Sequence, residues 1–175
     1  MAYTNNTQMT QFIPPHLIHD IGAGSPIVHA YSSQIAYESR TPAGAGTFIL
    51  NVPILLPSNA AYRAGAYLQT VELIYKVSTA DLTSFNTVDL NKITLASATG
   101  SNTTFTGASQ TQTQDATHNS SALRVIQGVH TMVVTPGTPP WIDNDEEWVL
   151  SCTLVAAATS ILDLYGARCN FTLRV

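Results

Sequence analysis

The sequence predicts an all-β fold: an antiparallel β-sandwich or jelly roll of about eight strands, carrying an extended N-terminal arm. Three observations predict it. Apolar residues recur with period two in several runs, most clearly Trp148, Leu150, Cys152 and Leu154 against Val149, Ser151, Thr153 and Val155. Turn signals rich in Pro, Gly, Asn and Ser separate those runs. No long stretch with a 3.6 period survives the Pro and Gly spacing. One domain is implied by the 175 residues, enough to bury roughly 70% of the unfolded surface without a metal or a disulfide.

The stretch from Glu147 to Val175 reads as a long antiparallel hairpin around which the rest is organised. Its second arm sets Arg168, Asn170, Thr172 and Arg174 on one side and Cys169, Phe171, Leu173 and Val175 on the other. The apolar parity switches between Leu164 and Cys169, and Gly166 sits at the switch, where a residue without Cβ suits a bulge. Val175, the last residue of the sequence, is expected in the core.

Residues 1–45 are punctuated by Pro14-Pro15, Gly22, Gly24, Pro26, Pro42, Gly44 and Gly46, and read as an extended arm. Its apolar pieces, Phe12-Ile13 and Leu17-Ile18 with Ile27-Val28, are expected to lie on something, either the chain's own sandwich or a neighbouring subunit. The sandwich domain then spans 46–175. Phe48, Leu50, Val52 and Ile54 share one parity in a strand whose Pro53 marks an edge or a strand end. A loop follows over 55–64. In the strand from Ala66 to Val77, Val71, Leu73, Tyr75 and Val77 face one way and Thr70, Glu72 and Lys76 the other.

Ser78 to Asn86 is read as a connection with one helical turn, and Thr87 to Ala96 as a shorter strand. The insertion 96–122 is almost wholly Ser, Thr, Asn, Gln, Gly and Ala around Phe105, and forms either a long loop or a pair of thin polar strands. Leu123–Ile126 and Val129–Val134 flank Gln127-Gly128 as a tight hairpin. A rigid loop with Pro136, Gly137 and Pro139-Pro140 leads into the organising stretch.

Composition narrows the function. Only 10% of residues are charged, the net charge is −4 and the two lysines are Lys76 and Lys92, so no basic stripe exists for nucleic acid or an anionic membrane. Met1 to Thr10 lacks the basic start and apolar run of a signal peptide, and no apolar run reaches membrane-spanning length. N-x-[ST] matches at Asn5, Asn102, Asn119 and Asn170 are read as chance in a chain so rich in these residues.

No catalytic residue and no cofactor is expected, because nucleophile-elbow, phosphate-loop and dinucleotide patterns are absent. His16, His19, Asp20 and His29 look like a metal set only if a helix brings them together, and Pro14-Pro15 and Gly22 leave it no room. His118 and His130 are read as structural, without a sequence-local acidic or Cys partner. Asp143, Asp145 and Glu146 are a weak calcium candidate, since the Gly and Glu that complete an EF-hand loop are missing, and a solvated turn is preferred. Cys152 and Cys169 fall nearly opposite if the hairpin closes, yet two buried free thiols are preferred to a disulfide.

Three pieces, 65–82, Ile142-Asp143-Asn144-Asp145-Glu146-Glu147 and Leu164-Tyr165-Gly166-Ala167, together resemble β-sandwich proteins of tailed phages in the style of capsid decoration, or cement, proteins. The resemblance covers 65–82 and 142–175. It implies a non-enzymatic structural protein on the exterior of the virion, made in the host cytoplasm, assembled as a homotrimer and partnered by the major capsid protein. Phe12, Ile13, Leu17 and Ile18 of the arm, and Phe105 of the insertion, are the expected interface residues. The alternative is a glycan-binding module or tail-associated receptor-binding protein, with Trp141, Tyr62 and Tyr67 as stacking residues; Tyr165 is a further aromatic, and Trp148 is core by its parity.

Overall fold

Alternating apolar residues build two antiparallel sheets on one core. The computed structural model describes residues 6–22, 27–32, 36–55, 66–78, 82–94, 106–142 and 146–174. In chain order the strands are β1 (Asn6–Ile13), β2 (His19–Gly22), β3 (Ile27–Tyr31), β4 (Glu38–Pro42), β5 (Gly46–Ile54), β6 (Ala66–Val77) and β7 (Leu82–Thr94). They continue as β8 (Thr106–Gln110), β9 (Gln112–Gln114), β10 (Gly128–Pro136), β11 (Trp141–Ile142), β12 (Glu146–Ala156) and β13 (Leu162–Arg174). A single helical turn, α1 (Ser121–Arg124), precedes β10.

One sheet of eight strands runs β3-β4-β13-β6-β10-β9, with β1 added to β13 and β11 to β6; the other runs β2-β5-β12-β7-β8. In the five-stranded sheet the register sets Phe48, Leu50, Val52 and Ile54 opposite Leu154, Cys152, Leu150 and Trp148, so every inward residue of β5 meets an inward residue of β12. From the facing sheet come Leu68, Val71, Leu73, Tyr75 and Val77 of β6 and Leu164, Cys169, Phe171 and Leu173 of β13, all in the same buried cluster. Pro53 lies beyond the part of β5 that pairs with β2, where its missing N–H leaves no ladder bond unmade on that side.

Several expectations are corrected here. Glu147 to Val175 is not a hairpin, because β12 and β13 lie in different sheets and the segment between them crosses the core. Each arm has one apolar face, and that pattern is the same whether two strands pair side by side or face one another. Cys152 and Cys169 accordingly sit in opposite sheets as free, buried cysteines, and burial pushes each thiol up to about 12.

The first forty-five residues are, where described, four strands of the two sheets, with Ile13 and Ile18 at 0% and 1% exposure inside the chain's own core. Leu123 and Arg124 belong to α1 and not to a hairpin strand; Gly128, with φ 144°, instead opens β10. β7 already begins at Leu82, where a helical turn was expected. The insertion supplies the thin strands β8 and β9, while Phe105 lies outside the described residues, as does Val175.

The bulge at Gly166 is present. Its φ is 120°, and the β13–β6 register slips between Leu164 and Gly166. The same point is where the outer edge of β13 changes partner, from β4 over Leu162–Leu164 to β1 from Ala167 onward. A Cβ on Gly166 would stand 2.5 Å from the Ile13 carbonyl oxygen and 2.7 Å from Cζ of Phe12. Gly166→Ala is therefore expected to lower stability by about 3 kcal/mol, through backbone strain and displacement of β1 together. Denaturant unfolding checks this, and a loss under about 1 kcal/mol would show that β1 yields without cost.

Candidate functional site

The outer face of the eight-stranded sheet concentrates uncharged polar groups beside two aromatic rings. Alternation turns Tyr67, Thr70 and Glu72 of β6 and Arg168, Asn170 and Thr172 of β13 away from the core. The registers set Thr172 between Tyr67 and Gln8, Asn170 between Thr70 and Thr10, and Arg168 between Glu72 and Phe12. Asn170 donates from Nδ2 to Thr70 Oγ1 and Glu72 Oε1, both at 2.8 Å, and accepts from Thr10 Oγ1 at 2.7 Å. Arg168 Nη2 meets Glu72 Oε2 at 2.5 Å, so the two charges on this row offset each other. Gln8, Thr10, Gln69 and Asn170 border a shallow groove of about 280 Å³.

Next to that groove stands the aromatic pair. β11 pairs with β6 so that Trp141 is opposite Tyr67, and the ring centroids are 3.5 Å apart at a tilt of 36°. Both rings are partly exposed. Their position is fixed from the backbone, since Leu68 N–H donates to the Pro140 carbonyl at 3.2 Å and the Pro139-Pro140 loop has little freedom to move. Around the sheet edge, the same loop and the Gln110-Thr111 turn enclose a cleft of about 350 Å³, with Thr138, Pro140 and Trp148 among its walls. Gly137 N–H closes the loop onto the Thr111 carbonyl at 2.8 Å.

Of the remaining expected site residues, Tyr62, Asp143 and Asp145 lie outside the described residues. Glu146 is occupied by the Lys92 ammonium and by Trp148, whose Nε1 donates to Oε2 at 3.1 Å. Among the described residues no group of three or more His, Cys, Asp or Glu could hold a metal ion. Leu17 is partly buried against the core and Phe12 is 54% exposed. Tyr165 packs against Tyr37, with centroids 5.5 Å apart.

Two polar clusters were missed by sequence reasoning. In the first, Arg40 is 1% exposed and bridges Asp20 and Glu38, while its Nη2 also donates to the carbonyls of Pro15 at 3.2 Å and Ile18 at 2.7 Å. Both ring nitrogens of His29 meet carboxylates, Glu38 at 2.6 Å and Asp20 at 3.1 Å. Burial lowers the Arg40 guanidinium to about 10. This is an ion cluster tying β2, β3 and β4 together.

The second cluster contradicts the reading of His118 as lacking an acidic neighbour. Asp115, three residues earlier, meets His118 Nδ1 at 2.8 Å, and His118 Nε2 meets His130 Nδ1 at 3.1 Å. His130 stacks on Tyr75 with centroids 4.8 Å apart. Arg124 donates to the carbonyls of His118, Phe85 and Asn86 at 2.7, 2.8 and 3.0 Å. The available signal was Asp-x-Thr-His, a spacing that lets an aspartate close a turn onto its own backbone and reach the following imidazole.

Comparison with known proteins gives little. No family model and no curated protein matches the chain. Among solved structures, one match is the carbohydrate-binding module TmCBM61 in complex with beta-1,4-galactotriose, at 10% identity and a TM-score of 0.37, covering 90% of this chain and 88% of that one. A score that low assigns neither fold family nor ligand here. The match is nevertheless to a carbohydrate-binding module and not to a phage capsid protein. The resemblance to capsid decoration proteins finds no support in these comparisons, and the cement and virion reading is corrected accordingly.

Burial of Asp115 works against its charge, but hydrogen bonds from Thr117, the Val133 N–H and His118 outweigh it and hold the carboxyl well below the usual range. A depressed folded-state value means stability present above the unfolded value and lost as pH falls through the folded one. Comparing thermal unfolding of the wild type with Asp115→Asn should therefore show a wild-type advantage near neutrality that shrinks below about pH 4. A difference independent of pH would mean that the charge on Asp115 does not matter.

Proposed function

We propose that the protein is a non-catalytic glycan-binding module, and that the outer face of its eight-stranded sheet is the binding surface. The observation that carries the proposal is the partly exposed Tyr67–Trp141 pair, held by strand pairing beside an uncharged groove bordered by Gln8, Thr10, Gln69 and Asn170. A pyranose ring presents an apolar face of C–H groups and an equatorial rim of hydroxyls. The aromatic pair offers the first a partly exposed ring surface fixed by strand pairing, and the amides and hydroxyls of the groove offer the second both donors and acceptors. Little net charge on this face favours a neutral sugar over an acidic one.

The strand order supports a finer reading of the fold. β4-β13-β6-β10 in one sheet and β5-β12-β7-β8 in the other is the order produced when the chain winds as a jelly roll, an architecture that hosts lectin domains among unrelated functions. Architecture alone carries no function, so the weight rests on the surface.

A shallow open site buries less of its ligand than a deep pocket, and a dissociation constant on the order of 0.1 mM or weaker is expected. Affinity electrophoresis and calorimetry against a panel of neutral polysaccharides test the proposal. The wild type should be retarded by at least one, and Tyr67→Ala or Trp141→Ala should each weaken binding by roughly five- to thirtyfold, with melting little changed. No retardation by any polysaccharide, or variants that bind like the wild type, would overturn it.

A further inference from the structure

We propose that His118 and His130 share one extra proton, and that this proton locks the turn 115–118, the end of α1 and the start of β10 together. The inference is independent of the glycan reading and rests on counting donors.

The chain of contacts runs from Asp115 through His118 Nδ1 and Nε2 to His130 Nδ1, and from His130 Nε2 to the Ile126 carbonyl at 2.7 Å. Both ends are acceptors: a carboxylate held ionised by its hydrogen bonds, and a peptide oxygen. Nδ1 of His118 and Nε2 of His130 must therefore each carry a proton. The 3.1 Å contact between the rings needs one more, placed on either nitrogen. Three protons on four ring nitrogens is one more than two neutral imidazoles supply, so the pair carries a single positive charge facing Asp115. Thr117 Oγ1, 3.1 Å from His118 Nδ1, gives its own proton to Asp115 and does not alter the count.

The surroundings are consistent with one charge and not two. Arg124 of α1 directs its guanidinium to backbone carbonyls and to Gln114 Oε1. Tyr75 of β6 lies flat on His130 and donates its hydroxyl to the Arg124 carbonyl at 2.9 Å, with its phenol pushed up by burial. β7 brings the Phe85 ring, and β12 brings Cys152, whose raised thiol is neutral. Adding a fourth proton would set two N–H groups head to head; removing the third would leave one contact without its hydrogen. Either change frees the segment carrying Ile126 and Val129, which are 54% and 68% exposed and border a cavity of about 470 Å³ together with both histidines.

Ring-nitrogen NMR across pH on the intact protein, with amide exchange of residues 126–130 on the same samples, tests the proposal. The expected result is a plateau with three of the four ring nitrogens protonated, over which those amides exchange at least about threefold more slowly than on either side. In His118→Gln the plateau should vanish. A wild-type count that falls from four to two without a plateau, or exchange indifferent to the plateau's edges, would overturn the proposal whether or not the variant folds.

Discussion

The structure depends on how the outer edge of β13 is shared. One strand cannot pair on the same edge with two others unless they meet end to end, and here the pairing of β13 with β4 stops at Leu164, opposite Glu38, while its pairing with β1 starts at Ala167, opposite Ile13. The junction needs a residue that can take φ 120° and let the Ile13 carbonyl approach to where a Cβ would be, and Gly166 meets both demands. Because β13 also pairs with β6 along its other edge, this one junction couples the start of the chain to its end and to the centre of the sheet.

Two buried arginines complete what the sheets leave open. Arg40 collects the carbonyls of the Pro15–Leu17 turn region, and Arg124 those of the chain before α1 and of β7. In each case a planar cation with several donors satisfies several backbone oxygens at once. Such groups are costly to desolvate, and are retained where peptide carbonyls would otherwise be buried without partners. Arg124 in this way ties α1 to the His118 carbonyl, next to the His118–His130 contact.

The proposed binding surface follows from the same economy of charge. An outer face built of Gln, Thr and Asn, with Glu72 and Arg168 closed on each other, exposes hydrogen-bonding groups without a field. On a flat sheet the spacing of alternate residues sets the spacing of those groups, and β11 adds an aromatic ring at the end of the row. Capsid decoration was suggested by short pieces of β-sandwich sequence; those pieces encode strands and a bulge, which many unrelated functions share.

The sequence by itself determined the inward faces of the main core strands and the place of the bulge. Period-two alternation is a local property, so the inward residues of β5, β6, β12 and β13 and the parity switch at Gly166 were legible without coordinates. Which strand pairs with which was decided only by the tertiary structure. An apolar face reports burial and not the identity of its partner, so β12 and β13 read as a hairpin though they face each other from two sheets. For the same reason Phe12-Ile13 and Leu17-Ile18 signalled contact but not that the contact was the chain's own core. Trp141 and Tyr67 were legible as aromatics; that their rings pack together was set by the β11–β6 register. His118 and His130 stand twelve residues apart, and only the return of the chain through α1 brings their ring nitrogens within a hydrogen bond.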